Sequence, residues 1–277
     1  YDAAGRLAAT IAYATKLDAT KMGNLATAGG VAEIAGYRPG ATASDIWSWS
    51  IYDAGGQLIQ SIDGDGGVVD FFYDASNRLV KTRAYATKIT VAALKLTVPT
   101  ARQTVTGTGD DHIARNFYDA DGRLIGALDG EGYLSETVYN HAGRKIDEIA
   151  YAAKTSSDLW AAGTFAQLRD NAELASAANR HLRYVRDGQG LLRYLIDNAG
   201  YVTSFAYNFA GKLTSTIAHA AKIATDDFTY DTVDMLVTDP ATGLANPAND
   251  RQSYNVYNAK GQVAYTVGAA GGITGFT

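Results

Sequence analysis

The sequence predicts an all-β fold built from repeated antiparallel hairpins. Three observations carry this: a seven-residue phrase that recurs along the chain, a near-constant glycine at its fifth position, and a second glycine turn that follows alternate copies.

The phrase reads Tyr-Asp-x-x-Gly-Arg-Leu and is clearest from Tyr1 to Leu7 and from Tyr118 to Leu124. Copies begin at Tyr1, Tyr52, Tyr73, Tyr118, Tyr139, Tyr207 and Tyr257, and spacing alone reveals an eroded copy at Arg186. Tyr52 to Tyr73, Tyr118 to Tyr139 and Arg186 to Tyr207 are each 21 residues apart, and the gaps between these pairs run from 45 to 51 residues. One long gap plus one short gap makes a super-repeat. The chain thus divides into 1–72, 73–138, 139–206 and 207–277, one continuous array without conventional domain boundaries. Both termini coincide with repeat boundaries, so the sequence reads as a piece of a longer array.

The fifth position holds Gly5, Gly56, Gly122, Gly143, Gly190, Gly211 and Gly261, with Asn77 as the exception. Asparagine is the non-glycine residue that best tolerates a left-handed backbone, so the position is expected to be a tight turn with positive φ. Asp2, Asp53, Asp74, Asp119 and Asp187, or Asn140, Asn208 and Asn258, precede it at the second position, where a short polar side chain bonds forward to turn backbone. A hydrophobic residue, usually leucine, then starts the outgoing strand, a pattern that Lys145 breaks. The repeat tyrosines are expected to lie largely buried in regular rows.

Within the 21-residue units a second turn follows, at Asp63 to Gly66, Asp129 to Gly132, Asp197 to Gly200 and Gly268 to Gly271. Strand and turn alternating at roughly ten-residue intervals is the pattern of an antiparallel meander. In the long units an insert replaces this turn, after Ala-Tyr-Ala-x-Lys at Tyr13 to Lys16, Tyr85 to Lys88 and Tyr151 to Lys154, with His219 in the tyrosine's place before Lys222. Four strands per super-repeat give roughly sixteen, and at about 4.8 Å each the sheet extends roughly 75 Å. Such a sheet is expected to coil into a spiral or a shell wall, with short helical or loop inserts.

The third insert places Phe165, Leu168, Ala172 and Ala175 at helical spacing after Thr164, which predicts a short helix between Thr164 and Arg180. The first insert, with Gly29-Gly30, Gly36 and Pro39-Gly40, reads mainly as loop. The second, apolar from Val91 to Val98, fits a strand or one helical turn. The fourth, with Pro240 and Pro247, is expected to be irregular.

Composition narrows function by exclusion. A net charge of −5 with no basic stripe argues against nucleic acid, and the 18 tyrosines are largely accounted for by the repeat. The chain has no cysteine, which decides little about compartment. No apolar stretch reaches the roughly 18 to 20 residues that span a bilayer.

With its copies laid out, the phrase resembles the YD repeat of Rhs-type proteins, a family that includes bacterial Rhs toxins, the C component of insecticidal toxin complexes, and the teneurins of animals. The resemblance covers all four super-repeats. It implies a spiralling β-sheet that, in the best-known members, winds into a hollow shell around a C-terminal toxin. The inserts of this chain are longer than the compact family repeat, and the array carries no non-repetitive toxin domain.

Candidate sites are few. Alternating Asp and Gly at Asp63 to Gly66 suggests calcium, but Gly268 to Gly271 lacks any carboxylate, so hairpin chemistry is the preferred reading and no metal or cofactor is expected. Asp239-Pro240-Ala-Thr-Gly243-Leu244 loosely resembles the element near the self-cleavage site of Rhs shells. A further phrase, Tyr257 to Val263, follows it here, which favours an ordinary turn. His112, His141, His181 and His219 are scattered, without metal-ligand spacing, and read as structural. No serine nucleophile elbow or phosphate-binding loop is present. Lys16, Lys88, Lys154 and Lys222 read as a solvated row at strand ends.

The expected function is therefore non-enzymatic: a wall segment of a large secreted or cell-surface bacterial protein, partnered by neighbouring repeats and by an enclosed toxin domain or a surface ligand. The alternative is an adhesive module whose inserts present a surface to carbohydrate or protein, with Trp47, Trp49 and Trp160 as early candidates, although core packing suits these residues better.

Overall fold

The computed structural model describes residues 1–27, 37, 39–173, 176–239, 244 and 248–276. The fold is all-β, a sixteen-stranded antiparallel sheet whose strand order follows the chain. The strands are β1 (Ala9–Ala12), β2 (Ile46–Tyr52), β3 (Leu58–Ile62), β4 (Val68–Tyr73), β5 (Leu79–Ala84), β6 (His112–Tyr118), β7 (Leu124–Leu128), β8 (Tyr133–Tyr139), β9 (Lys145–Lys154), β10 (Arg180–Arg186), β11 (Leu192–Ile196), β12 (Tyr201–Tyr207), β13 (Leu213–Lys222), β14 (Arg251–Tyr257), β15 (Val263–Val267) and β16 (Ile273–Gly275). Residues Tyr1–Asn116 with Asp129–Glu131 form one compact unit, and Phe117–Leu128 with Gly132–Thr277 form another.

In the first unit the period of two is clearest on β2, where Trp47, Trp49 and Ile51 are buried while Ile46 and Ser48 face solvent. Trp47 and Trp49 stack with centroids 5.7 Å apart and pack with Ile62, Val68 and, from the second insert, Leu94. That insert turns at Val91, whose carbonyl accepts from the Leu94 N–H at 3.0 Å, so its apolar run forms a helical turn. Gln60, fully buried, holds it down: its amide donates to the Gln103 carbonyl at 3.0 Å and its oxygen accepts from the Gln103 N–H at 2.7 Å.

The second unit has two such cores. Leu128, Leu134, Ile149 and Tyr151 of the sheet meet Leu168 and Ala172 of the third insert. Val185, Tyr194, Ile196 and Val202 meet Val233, Val237 and Leu244 of the fourth. Each of these inserts thus acts as a lid, contributing the apolar residues that the twisted sheet face needs to leave water.

Helices occur in the inserts. In the first insert α1 (Ala19–Thr27) forms where loop was expected, because the Asp18 carboxylate accepts from the Lys21 N–H at 2.8 Å and starts it. The third insert holds α2 (Ser157–Trp160) and α3 (Phe165–Asn171). Thr164 and Gln167 form a reciprocal capping box at the start of α3, and Glu173, at φ 59°, helps turn the chain away from it short of Arg180. In the fourth insert α4 (Tyr230–Thr238) replaces the expected irregular chain. Val233 and Val237 lie on one helical face and are buried, and Pro240 comes after the helix has ended. The expectations at Gly29, Gly30, Gly36, Ala175, Pro240, Gly243 and Pro247 lie outside the described residues.

Candidate functional site

The phrase is a hairpin turn with a glycine bulge. At Asp53 the N–H donates to the Gln57 carbonyl at 2.9 Å while the Gly56 N–H returns to the Asp53 carbonyl at 3.1 Å. Pairing shifts by one residue between Ile51 and Tyr52, the signature of the extra residue. Positive φ at Gly5 (77°), Gly56 (89°), Asn77 (63°), Gly122 (82°), Gly143 (72°), Gly190 (81°), Gly211 (70°) and Gly261 (73°) makes the turn the same in every copy. The second-position side chain fills it: Asp74 Oδ1 accepts from the N–H groups of Ser76 (2.9 Å) and Arg78 (3.0 Å), and Oδ2 accepts from Arg78 Nε at 2.7 Å. The Arg78 N–H and guanidinium hold the Asp74 carboxyl below its ordinary range. Asn140, Asn208 and Asn258 accept the same pair of backbone N–H groups without a charge.

Consecutive phrases are stapled. The tyrosine hydroxyl donates to the carbonyl of the last residue of an earlier copy: Tyr52 to Leu7 (3.2 Å), Tyr73 to Leu58 (3.0 Å), Tyr139 to Leu124 (3.1 Å), Tyr207 to Leu192 (2.9 Å) and Tyr257 to Leu213 (2.7 Å). These rings are half-buried, with the hydroxyl end engaged along the turn row. A cation from the earlier phrase covers the next ring, with Arg6 4.7 Å from the Tyr52 centroid, Arg123 5.0 Å from Tyr139 and Lys212 5.3 Å from Tyr257. The eroded copy keeps the staple by another donor, since Arg186 Nε donates to the Lys145 carbonyl at 3.3 Å. Lys145, in leucine's place, pairs with Glu148, which accepts from the Tyr184 hydroxyl at 2.6 Å. Burial and this bond push the Tyr184 hydroxyl up to about 12.

A second recurring element, missed in the sequence, closes the inserts. Asp45, Asp111, Asn179 and Asp250 each accept the backbone N–H that follows the insert's aromatic residue, from Ala14 (3.0 Å), Ala86 (2.9 Å), Ala152 (2.9 Å) and Ala220 (2.9 Å). The legible signal was a hydroxyl residue three positions earlier, Thr42, Thr108 and Ser176. The aromatic residue itself bonds across the sheet: Tyr85 donates to Asp70 at 2.8 Å, Tyr151 donates to Glu136, and His219 contacts Ser204. Burial, reinforced by Glu136, raises the Tyr151 hydroxyl far above its ordinary value.

The acidic second turns spend their carboxylates locally. Asp63 Oδ1 accepts from Asp65 (2.9 Å) and Gly67 (2.8 Å), and Gly268 makes the same backbone turn with no carboxylate. Among the described residues no group of three His, Cys, Asp or Glu side chains is placed to hold a metal. No helix among them is long and apolar enough to cross a membrane. His112 bonds the Gly130 carbonyl at 3.1 Å and His181 pairs with Asp147 at 2.8 Å. Lys154 lies 5.2 Å from the Trp160 ring centroid and Lys222 4.6 Å from Tyr201, so both exposed lysines cover aromatic rings. Trp47 and Trp49 belong to the core.

The family model described as RHS Repeat matches residues 52–88. The chain carries an RHS repeat. This repeat runs from Tyr52 to Lys88 and so contains one stapled pair of phrases, the Asp63 turn and the first residues of an insert. Segments of the same length run from Tyr118 to Lys154 and from Arg186 to Lys222. No curated protein matches the chain. Solved structures similar to it include the Photorhabdus luminescens Tc holotoxin pore with a mutated TccC3, at 14% identity and a TM-score of 0.45, covering 82% of this chain and 9% of that one. A TcdB2-TccC3-Cdc42 protein aligns at 14% identity and TM-score 0.47 (88% of this chain, 10% of that one), and TcdB2-TccC3 at 14% and 0.46 (86% and 11%). The chain thus spans about a tenth of those chains' length.

Proposed function

We propose that this chain is a structural segment of a large secreted or cell-surface bacterial YD-repeat protein, a β-sheet wall that encloses a toxin domain or extends as a filament. The observation that carries the reading is the staple: Tyr52, Tyr73, Tyr139, Tyr207 and Tyr257 each serve the carbonyl of an earlier phrase, so these repeats complete their neighbours. Its turn glycines, Asn77 and repeat tyrosines are the working parts, and the super-repeats 1–72, 73–138, 139–206 and 207–277 are its units. The second, third and fourth inserts each turn apolar residues onto the sheet, which favours a wall over an adhesive surface of projecting loops.

Nothing in the reading requires catalysis or a cofactor. Neighbouring repeats of a longer chain are the expected partners. Electron microscopy of the natural full-length protein, with protease shaving of the cells that make it, tests the proposal. Expected are a continuous sheet wall and digestion by external protease; separate globular domains retained inside intact cells would overturn it.

A further inference from the structure

The fourth insert departs from the second and third at two of the three positions that fasten it, while its closing carboxylate matches Asp45 and Asp111. Where Asp70 and Tyr85, or Glu136 and Tyr151, face each other in the second and third inserts, Ser204 and His219 stand, and the closing residue is Asp250. Ser204 Oγ lies 2.6 Å from His219 Nε2, and His219 Nδ1 lies 3.1 Å from Asp250 Oδ2. A carboxylate only accepts, so Nδ1 carries a proton, and in the neutral imidazole Nε2 is then the acceptor for the serine hydroxyl. Asp250 is itself held by the Ala220 N–H on Oδ1 at 2.9 Å. The imidazole and the carboxylate are shielded, at 3% and 8% side-chain exposure, whereas Ser204 is partly open.

We propose that Ser204, His219 and Asp250 form a nucleophilic serine centre that takes acyl or phosphonyl groups from activated esters. This goes beyond the structural role and does not depend on it. Ser204 Oγ forms a bond to the electrophilic carbon or phosphorus while its proton passes to His219 Nε2. The leaving alkoxide, phenolate or fluoride departs with the bonding electron pair and that proton. Asp250 is a positioning residue that holds the Nδ1 tautomer and stabilises the imidazolium. Because β12 lies between β11 and β13, its backbone groups are engaged in ladders, so no strand N–H of Ser204 is free to stabilise an oxyanion. The substrate class is therefore restricted to electrophiles with good leaving groups.

The test is labelling of the whole chain with a fluorophosphonate at pH 8, followed by peptide mapping. Modification is expected at Ser204 well ahead of exposed serines such as Ser76, and absent in Ser204→Ala. His219→Tyr restores the aromatic residue that the first three super-repeats carry at Tyr13, Tyr85 and Tyr151, and Asp250→Asn keeps an acceptor for Ala220, as Asn179 does for Ala152. Each should lower the labelling rate about 100-fold or more while the melting temperature stays near that of the parent. Labelling of parent Ser204 no faster than Ser76 would overturn the proposal. So would an unchanged rate in a folded His219→Tyr or Asp250→Asn chain, and if either variant unfolds the parent's selectivity for Ser204 decides.

Discussion

The hydroxyl of Tyr73 donates to the carbonyl oxygen of Leu58 at 3.0 Å, tying the first residue of one phrase to the last residue of the phrase before it. Tyr73→Phe keeps the ring and removes the bond, and should cost about 1 kcal/mol. Urea unfolding should show a lower midpoint with an unchanged slope. Arg186→Tyr, which installs the phrase's usual residue, should be neutral or stabilising by the same measurement.

Two turn glycines separate backbone strain from crowding. Gly66 and Gly211 both have positive φ, 88° and 70°. A Cβ on Gly211 meets nothing within 4 Å, whereas on Gly66 it would overlap the Ile89 carbonyl where the second insert begins. Each alanine substitution should cost about 1 kcal/mol for the left-handed conformation, with Gly66→Ala costing roughly 1–3 kcal/mol more. Gly122→Val should cost on the order of 1–2 kcal/mol. Equal losses at Gly66 and Gly211 in thermal unfolding would mean that the insert backbone yields freely.

Leu168 is fully buried under the third insert. Leu168→Ala should cost about 2–5 kcal/mol, and in a one-dimensional array the damage should stay local. Hydrogen exchange is expected to rise in α3 and on β7 to β9 but not around Trp49. A uniform rise along the chain would contradict the one-dimensional picture.

Acid should loosen the insert fastenings. Burial works against the charged form of Asp111, but the Ala86 N–H, Arg83 and the Thr108 N–H outweigh it and hold the carboxyl below its usual value. A depressed carboxylate contributes stability above its unfolded pKa of about 3.9 and loses it as pH falls through the lower folded value. The melting temperature should therefore drop with acidification below about pH 4. Asp111→Asn, which can still accept from Ala86, should flatten part of that slope.

Chelation should leave the fold intact. The Asp63 carboxylate is satisfied by backbone N–H groups, and the turn at Gly268 forms without one. Calorimetry with and without EDTA should give melting temperatures that differ by less than a few degrees. A larger fall would reveal an ion bound tightly to the folded form.

Hairpin turns were legible because their chemistry is local. Positive φ excludes nearly every side chain, so glycine at the fifth position, or Asn77 in its place, announces the turn within seven residues. The period of those turns fixed strand number and antiparallel order, and Thr164 followed by Phe165 and Leu168 at helical spacing announced α3. Tertiary structure alone decided the rest. Whether Tyr230–Thr238 folds as a helix depended on apolar contacts supplied by strands far along the chain. Ser204, His219 and Asp250 are separated by 15 and 31 residues and carry no local pattern. They meet because antiparallel pairing sets β12 beside β13 and the insert closes back on β13, a consequence of register that spacing along one strand does not encode.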